Sequence, residues 1–383
     1  MRIAFYAPMK PASSPVPSGD REMARNLIAA LQRHHDVDVA SEFVSRDGTG
    51  DPAVQKDLAI RAQNEARMLI DKWQSGGFGG RPDAWFTYHV YHKAPDWIGP
   101  AVSDTLQIPY FVAEVSHAPK QAGGPWDTGY RAAEAAIKSA RGVIGLSELD
   151  AACVLPLLDD PGRYHKLAPF TDISPFAEAA DNRNSHRREI AGRFGLSLQE
   201  PTLLAVGMMR DGDKLGSYRV LADALSKLRS RKWNLLIVGD GPARPAVEDA
   251  FSGFPAGHVT FAGAADLGDL PEYYAAADVM VWPAVNEAYG MAMLEAQATG
   301  LPVVAGNTGG VPEVVRHRES GILCPVGDAD AFADAVDRML SAPDMLDAFS
   351  SAARARTSAE NNIQAASDTL DRILRGVRKA RAA

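Results

Sequence analysis

The sequence predicts an α/β protein made of two doubly wound, Rossmann-like halves. Short apolar runs, read as buried parallel strands, alternate with longer stretches of helical periodicity. The rhythm breaks once, in a polar segment rich in Asn, Arg and Asp between Pro169 and Glu200, and then restarts. At 383 residues the chain is long enough for two domains. The expected division is 1–172 and 173–359, with the connection near Asp172 to Phe176 and a closing segment over 360–383.

Taken in order, Arg2 to Ala7 reads as the first strand, since the run lacks the charged leader and cleavage site of a signal peptide. Leu27, Ile28 and Leu31 recur at helical spacing and place a helix over Asp20 to Arg33. Val37 to Val39 is a strand, Gln55 to Gln74 a helix ended by Gly76 to Gly80, and Ala84 to His89 a strand. Ile108 to Val115 and Gly142 to Leu146 are strands on either side of a helix over Tyr130 to Ser139. Ser147 reads as the cap of the next helix, not as a nucleophile, because no glycine follows at the required place.

In the second half a helix is expected over Arg187 to Phe194, then strands at Thr202 to Val206, Asn234 to Val238 and His258 to Ala262. Helices at Ser217 to Leu228, Pro245 to Phe251 and Leu270 to Ala276 separate and follow them. Val279 to Trp282 and Pro302 to Ala305 are the last strands expected, and Ala329 to Leu340, Asp344 to Ala355 and Ile363 to Val377 the last helices.

Composition narrows the function classes. A formal charge of −8 argues against a general nucleic-acid binder, which needs clustered Lys and Arg. Cys153 and Cys324 have no metal spacing and read as buried thiols in a reducing compartment. No apolar run reaches the length of a membrane span. Arg372, Arg375, Arg378, Lys379 and Arg381 make a basic tail, read first as a solvated helix face and second as a weak contact with an anionic membrane surface. The expected location is cytoplasmic, with the inner face of the membrane as the variant.

The most informative stretch runs from Asp278 to Val315. A strand ends at Pro283, a loop carries Glu287, a helix starts near Gly290 or Met291, Glu295 lies about one turn inside it, and a second strand leads to Gly309-Gly310. Free N–H groups and the positive dipole end at the helix start suit an anion. Carboxylates accept hydrogen bonds from hydroxyl groups. A phosphate flanked by hydroxyl-rich groups, as in a nucleotide-diphosphate sugar, fits this pattern.

The segment resembles the E-x7-E region of family 4 glycosyltransferases, retaining enzymes of the GT-B fold, and the resemblance is strongest from Leu203 to Val326. It implies two Rossmann-like domains facing a cleft: an N-terminal acceptor domain, a C-terminal donor domain, and a last helix crossing back to the first. It also implies that Glu287 contacts the donor sugar and Glu295 the ribose, with Ala288, Tyr289, Gly290, Met291 and Ala292 on the donor. Gly239 and Gly241, with the strand near Phe261, Ala262 and Gly263, would line the base pocket. The Gly239-Gly241 turn is not a dinucleotide fingerprint, since Arg244 stands where a third glycine is needed.

Arg210 and Lys214 follow a strand end, where open α/β sheets bind ligands. An Arg fork and a Lys point charge can stabilise a departing diphosphate without a metal. The family pattern has an Arg directly after the glycine. Here Met208 holds that position and Lys214 is displaced by one, so the roles are carried to Arg210 and Lys214.

In the first half, Gly19 corresponds to a glycine-bearing loop that closes on the donor in the family, and His117 to a strand-end histidine facing the transferred sugar. His89, His92, Glu114 and His117 form a rival metal set, but their spacings match no zinc signature, and no metal or cofactor is expected. Asp36/Asp38 and Asp328/Asp330 mimic a D-x-D motif and read as a strand and a helix cap. Glu313 caps or lines the donor cleft.

The expected activity is transfer of a sugar from a nucleotide-diphosphate sugar, UDP before GDP, to a glycan, lipid-linked or small-molecule acceptor. The alternatives are a non-catalytic nucleotide-sugar or carbohydrate-binding protein and a GT-B nucleotide-sugar epimerase.

Overall fold

The computed structural model describes residues 1–16, 18–76, 80–229 and 232–382, without the side chains of Leu149 and 377–382. The turn expected over Gly76 to Gly80 therefore falls partly outside the described residues, as do the side chains of Arg378, Lys379 and Arg381. The chain divides into two units, Met1–Ala168 with Ile363–Ala383, and Pro169–Asn362.

The first unit carries strands β1 (Arg2–Tyr6), β2 (Asp36–Ser41), β3 (Ala84–Val90), β4 (Tyr110–Val115), β5 (Gly142–Gly145) and β6 (Tyr164–Lys166). They form one parallel sheet in the order β2-β1-β3-β4-β5-β6. Its helices are α1 (Gly19–Gln32), α2 (Pro52–Gln74), α3 (Gly99–Leu106), α4 (Asp127–Ser139) and α5 (Glu148–Val154), joined by the last helix of the chain, α15 (Ile363–Ala382).

Local chemistry explains these starts. Ser18 Oγ accepts from Arg21 N–H to cap α1, and Asp51 accepts from Ala53 N–H to cap α2 with Pro52 in its first turn. Leu58, Ala62, Ala66, Leu69 and Trp73 form the buried stripe of α2. Ser147 caps α5, as expected, by accepting from Asp150 N–H. The strand β6 and the helix α3 went unread: β6 is three residues long, and α3 opens with Gly99-Pro100, a turn signal.

The start of α3 is fixed from elsewhere in the unit. The fully buried Asp96 carboxylate accepts from Ile98 N–H and Gly99 N–H at 2.8 and 2.7 Å, and from the Thr87 and Tyr110 hydroxyls at 2.6 and 2.9 Å. These four bonds satisfy a group that burial alone would make costly.

The second unit begins with α6 (Ser174–Asp181) and α7 (Arg183–Phe194). Of the connection expected near Asp172 to Phe176, Ser174 to Phe176 form the first turn of α6. The polar composition that suggested a linker serves tertiary contacts. Arg183 and Arg187 each reach the Asp278 carboxylate at 2.6 Å, and Thr202 N–H donates to it at 2.7 Å.

Strands β7 (Thr202–Val206), β8 (Asn234–Val238), β9 (Val259–Gly263), β10 (Val279–Trp282), β11 (Val303–Gly306) and β12 (Gly321–Cys324) make a second parallel sheet, ordered β12-β11-β10-β7-β8-β9. Around it lie α8 (Asp213–Ser226), α9 (Arg244–Ala250), α10 (Leu270–Ala276), α11 (Met291–Ala298), α12 (Val311–Val314), α13 (Ala329–Leu340) and α14 (Pro343–Glu360). The helix expected from Ser217 starts at Asp213, which puts Lys214 in its first turn.

Two acidic pairs are structural. Asp36 and Asp38 on β2 pair with Arg2 at 3.2 and 3.5 Å. Asp328 caps α13 by accepting from Ala331 N–H, and Asp330 pairs with Lys227. Cys324 is buried, and burial pushes its thiol up to about 11. Cys153 is only partly buried, against expectation, since α5 is a surface helix.

Candidate functional site

Two loops at the carboxyl ends of β7 and β10 meet in the second unit. After β7 the chain passes Met208, exposed, and Met209, buried, then exposes Arg210 and enters α8 at the uncapped Gly212. After β10, Val285 N–H donates to Ser217 Oγ at 3.0 Å, and the Asn286 amide donates to Asp213 Oδ2 at 2.9 Å. The loop bearing Glu287 is thereby fastened to the first turns of α8.

Within this junction Lys214 Nζ lies 2.6 Å from Glu287 Oε2, and Trp282 Nε1–H donates to the same oxygen at 3.2 Å. The Lys214 ammonium also lies 5.2 Å from the centre of the Trp282 ring. Trp282 is itself buried, edge-on to Tyr218, whose hydroxyl donates to Gly207 O at 2.7 Å. The carboxylate therefore has a fixed orientation. The sequence expectation set Lys214 on the diphosphate and Glu287 on the sugar; the structure adds that the two side chains touch.

Gly290 precedes α11 in the left-handed region, and no side chain caps the helix, so its first N–H groups are available to a ligand, with Met291 and Ala292 in the first turn. Glu295, in the second turn, accepts from the buried Tyr274 hydroxyl at 2.7 Å. Burial first, and then the Glu295 charge, hold that phenol well above its ordinary range, so it stays a donor.

The Gly309-Gly310 turn supports this loop by backbone contact. A Cβ on Gly309, which has φ +52°, would lie 1.8 Å from Glu287 O, and Gly310 N–H donates to Ala288 O at 2.6 Å. Gly239 follows the same logic after β8, where a Cβ would lie 1.9 Å from Gly207 O. Gly241 is likewise pressed against Met209 O, while Ala262 and Gly263 end β9 and Gly239 N–H donates to Gly263 O at 2.8 Å. Glu313 lies on α12, and its carbonyl accepts from Arg356.

Two further expected site residues lie in the first unit. Gly19 is the first residue of α1, with open space where its Cβ would be. His117 follows β4, but its ring stacks on Tyr130 at 5.2 Å, and Nε2 lies 3.1 Å from the Tyr130 hydroxyl and 3.3 Å from Glu134. Lys138, then Tyr130, hold the Glu134 carboxyl down at about 2. The rival set is corrected too. His92 packs against the Trp126 ring, and it is Asp20 that joins His89 and Glu114.

Residues 200–342, within the second unit, match the family model described as "Glycosyl transferases group 1". Among named relatives, the chain is 32% identical over 176 residues to D-inositol 3-phosphate glycosyltransferase of Jonesia denitrificans, covering 43% of this chain and 40% of that protein. It is 33% identical over 207 residues to the GDP-mannose-dependent alpha-(1-6)-phosphatidylinositol monomannoside mannosyltransferase of Mycobacterium tuberculosis, covering 51% and 52%. The matches thus span about half or less of these relatives' length. Similarity of fold covers nearly the whole chain. A glycosyltransferase from Rickettsia africae superposes with a TM-score of 0.76 at 17% identity, over 99% of this chain and 98% of that one. Anabaena Alr3699/HepE, solved in complex with UDP-glucose, gives 0.69 at 17% identity, over 100% and 99%.

Proposed function

We propose that this chain is a retaining glycosyltransferase that moves a sugar from a nucleotide-diphosphate sugar to a glycan, lipid-linked or small-molecule acceptor, with no metal ion in the transfer. The observation that carries the reading is the Lys214–Glu287 contact beside the uncapped start of α11, inside the stretch matched by the family model. A cation, a row of backbone donors and an oriented carboxylate lie within one junction of loops.

As the bond from the anomeric carbon to phosphate breaks, negative charge grows on the diphosphate. Lys214, Arg210 and the N–H groups of Met291 and Ala292 supply preorganised positive potential to that group. Glu287, oriented by Trp282, accepts from sugar hydroxyls and faces the positive charge developing on the ring. Glu295 and its Tyr274 partner hold the ribose, and the Gly239-Gly241 turn with Ala262 and Gly263 accommodates the base. The first unit, with Gly19 and His117, is assigned the acceptor.

The donor nucleotide put forward is UDP, with GDP second. Among similar proteins, one neighbour of the same fold was solved with UDP-glucose, and the mycobacterial relative is named for GDP-mannose. Calorimetric titration of the full chain with UDP, GDP and ADP, followed by assay of nucleotide release from UDP-glucose and GDP-mannose, tests the reading. Binding of one diphosphate with slow release of it from the matching sugar is expected. No affinity for any of the three would overturn the proposal, and affinity without turnover on any acceptor would favour a binding protein.

A further inference from the structure

We infer that the first unit holds a divalent transition-metal ion, such as Zn2+ or Mn2+, between Asp20 of α1, His89 of β3 and Glu114 of β4. This site owes nothing to the nucleotide-sugar reading and lies wholly within the residues of one unit. The ion has no part in neutralising the diphosphate.

The geometry follows from the sheet. β3 and β4 pair in parallel with Tyr88 beside Ala113 and Val90 beside Val115, so His89 and Glu114 are cross-strand neighbours. Both have positive φ, +65° and +53°, unusual for side-chain-bearing residues in strands. Asp20 enters from the first turn of α1. His89 Nδ1 lies 3.0 Å from Asp20 Oδ1 and 3.6 Å from Glu114 Oε1, and the three ligand atoms all lie within 4.8 Å of one another. Metal–ligand bonds of about 2.1 Å place neighbouring ligands about 3.0 to 3.4 Å apart, so the His89–Asp20 and His89–Glu114 separations stand near the spacing an ion needs.

A second observation points to a ligand. Glu114 is 9% exposed, and its Oε2 is cut off from solvent with no hydrogen-bond partner among the described residues. A carboxylate oxygen buried in that state is costly unless something positive meets it. Burial pushes the Glu114 carboxyl above its usual range, over the opposing pull of His89 and the Tyr88 hydroxyl. Burial would lower His89, but Glu114 and Asp20 outweigh it and raise the imidazole. Asp150 adds negative potential to both, while Lys10 is the cation felt at Asp20. A single imidazole with two carboxylates is a donor set for Zn2+, Mn2+ or Fe2+. The alternative occupant is a proton, on His89 or on the Glu114 carboxyl that burial raises.

The test uses the full chain, stripped with a chelator and titrated calorimetrically with Zn2+ and with Mn2+. One equivalent of at least one metal should bind to the native chain. Glu114→Gln and His89→Ala should each weaken binding at least tenfold, and His92→Ala should leave it unchanged. Co2+ substitution supplies a second readout, since its visible band should be lost in His89→Ala. Should Glu114→Gln fail to fold, Asp20→Asn at the more exposed edge of the site carries the same expectation. Absence of binding by the native chain, or binding equal in the native chain and in His89→Ala, would overturn the inference and assign the site to a proton only. Neither outcome bears on the affinity for UDP or GDP, which is measured separately.

Discussion

The Lys214 ammonium and the Glu287 carboxylate lie 2.6 Å apart, joining the first turn of α8 to the loop before α11. Their side chains are only 24% and 19% exposed, and Trp282 closes the third side. The cation assigned to the leaving group thus also positions the carboxylate assigned to the sugar.

Glu287→Gln keeps the shape and the Trp282 contact and removes the charge. Turnover should fall about a hundredfold or more, with melting temperature changed little, if the carboxylate acts on the developing charge. An unchanged rate in a steady-state assay would remove Glu287 from that role.

Lys214→Ala, alone and with Arg210→Ala, should weaken diphosphate binding. Loss of one charge-assisted contact is worth about 1.5 to 3 kcal/mol, or roughly ten- to a hundredfold in Kd. Equal affinity in native and doubly substituted chains would show that other groups hold the diphosphate.

Gly309→Ala should damage the site without touching a ligand. The added methyl group meets Glu287 O, and the left-handed backbone is unfavourable for alanine. Stability should fall by about 1 to 3 kcal/mol, and turnover should fall with it as the Glu287 loop shifts. Chemical denaturation and rate measurements on one preparation check both.

Asp278→Ala should destabilise the second unit by about 2 to 4 kcal/mol. It strips Arg183, Arg187 and Thr202 N–H of their shared acceptor and leaves two partly buried guanidinium groups unpaired. Asp278→Asn, which retains an acceptor, should recover part of the loss in a urea titration.

Acid should destabilise the first unit through His35. The His35 ring is 1% exposed and lies 3.2 Å from Asp371 of α15. Burial lowers its pKa from 6.5 to about 4, over the opposing pull of Asp371. Between those values the unfolded chain binds the extra proton and the folded one does not. The contribution of His35 is therefore full above about pH 6.5 and is lost as pH falls through 4, by up to about 3 kcal/mol. His35→Gln should flatten this part of a stability-against-pH curve, and an identical slope would exclude His35 as its source.

Much of the fold was legible because strands and helices announce themselves locally. The run Val279–Trp282 and the helix Ala329–Leu340 stand where the periodicity put them. So does the E-x7-E segment, whose loop, helix start and glycine turn all follow from residues within a few positions of one another. The elements missed, α3, α6, α12, β6 and β12, are short, and α3 begins where it does because Asp96 accepts from its first backbone N–H groups. Local pattern carries no signal for such an anchor.

The sequence by itself determined the alternation of strands and helices, the polar interruption between the halves, and the residue types available for anion and polyol binding. These depend on side-chain size, polarity and backbone preference over a few neighbouring positions. The tertiary structure alone decided which distant groups meet: Lys214 with Glu287, Tyr274 with Glu295, His117 with Tyr130, and Asp20 with His89 and Glu114. Such pairings depend on the register of parallel strands and the docking of helices upon them, and a shift of one residue in a strand would turn each of its side chains to the opposite face.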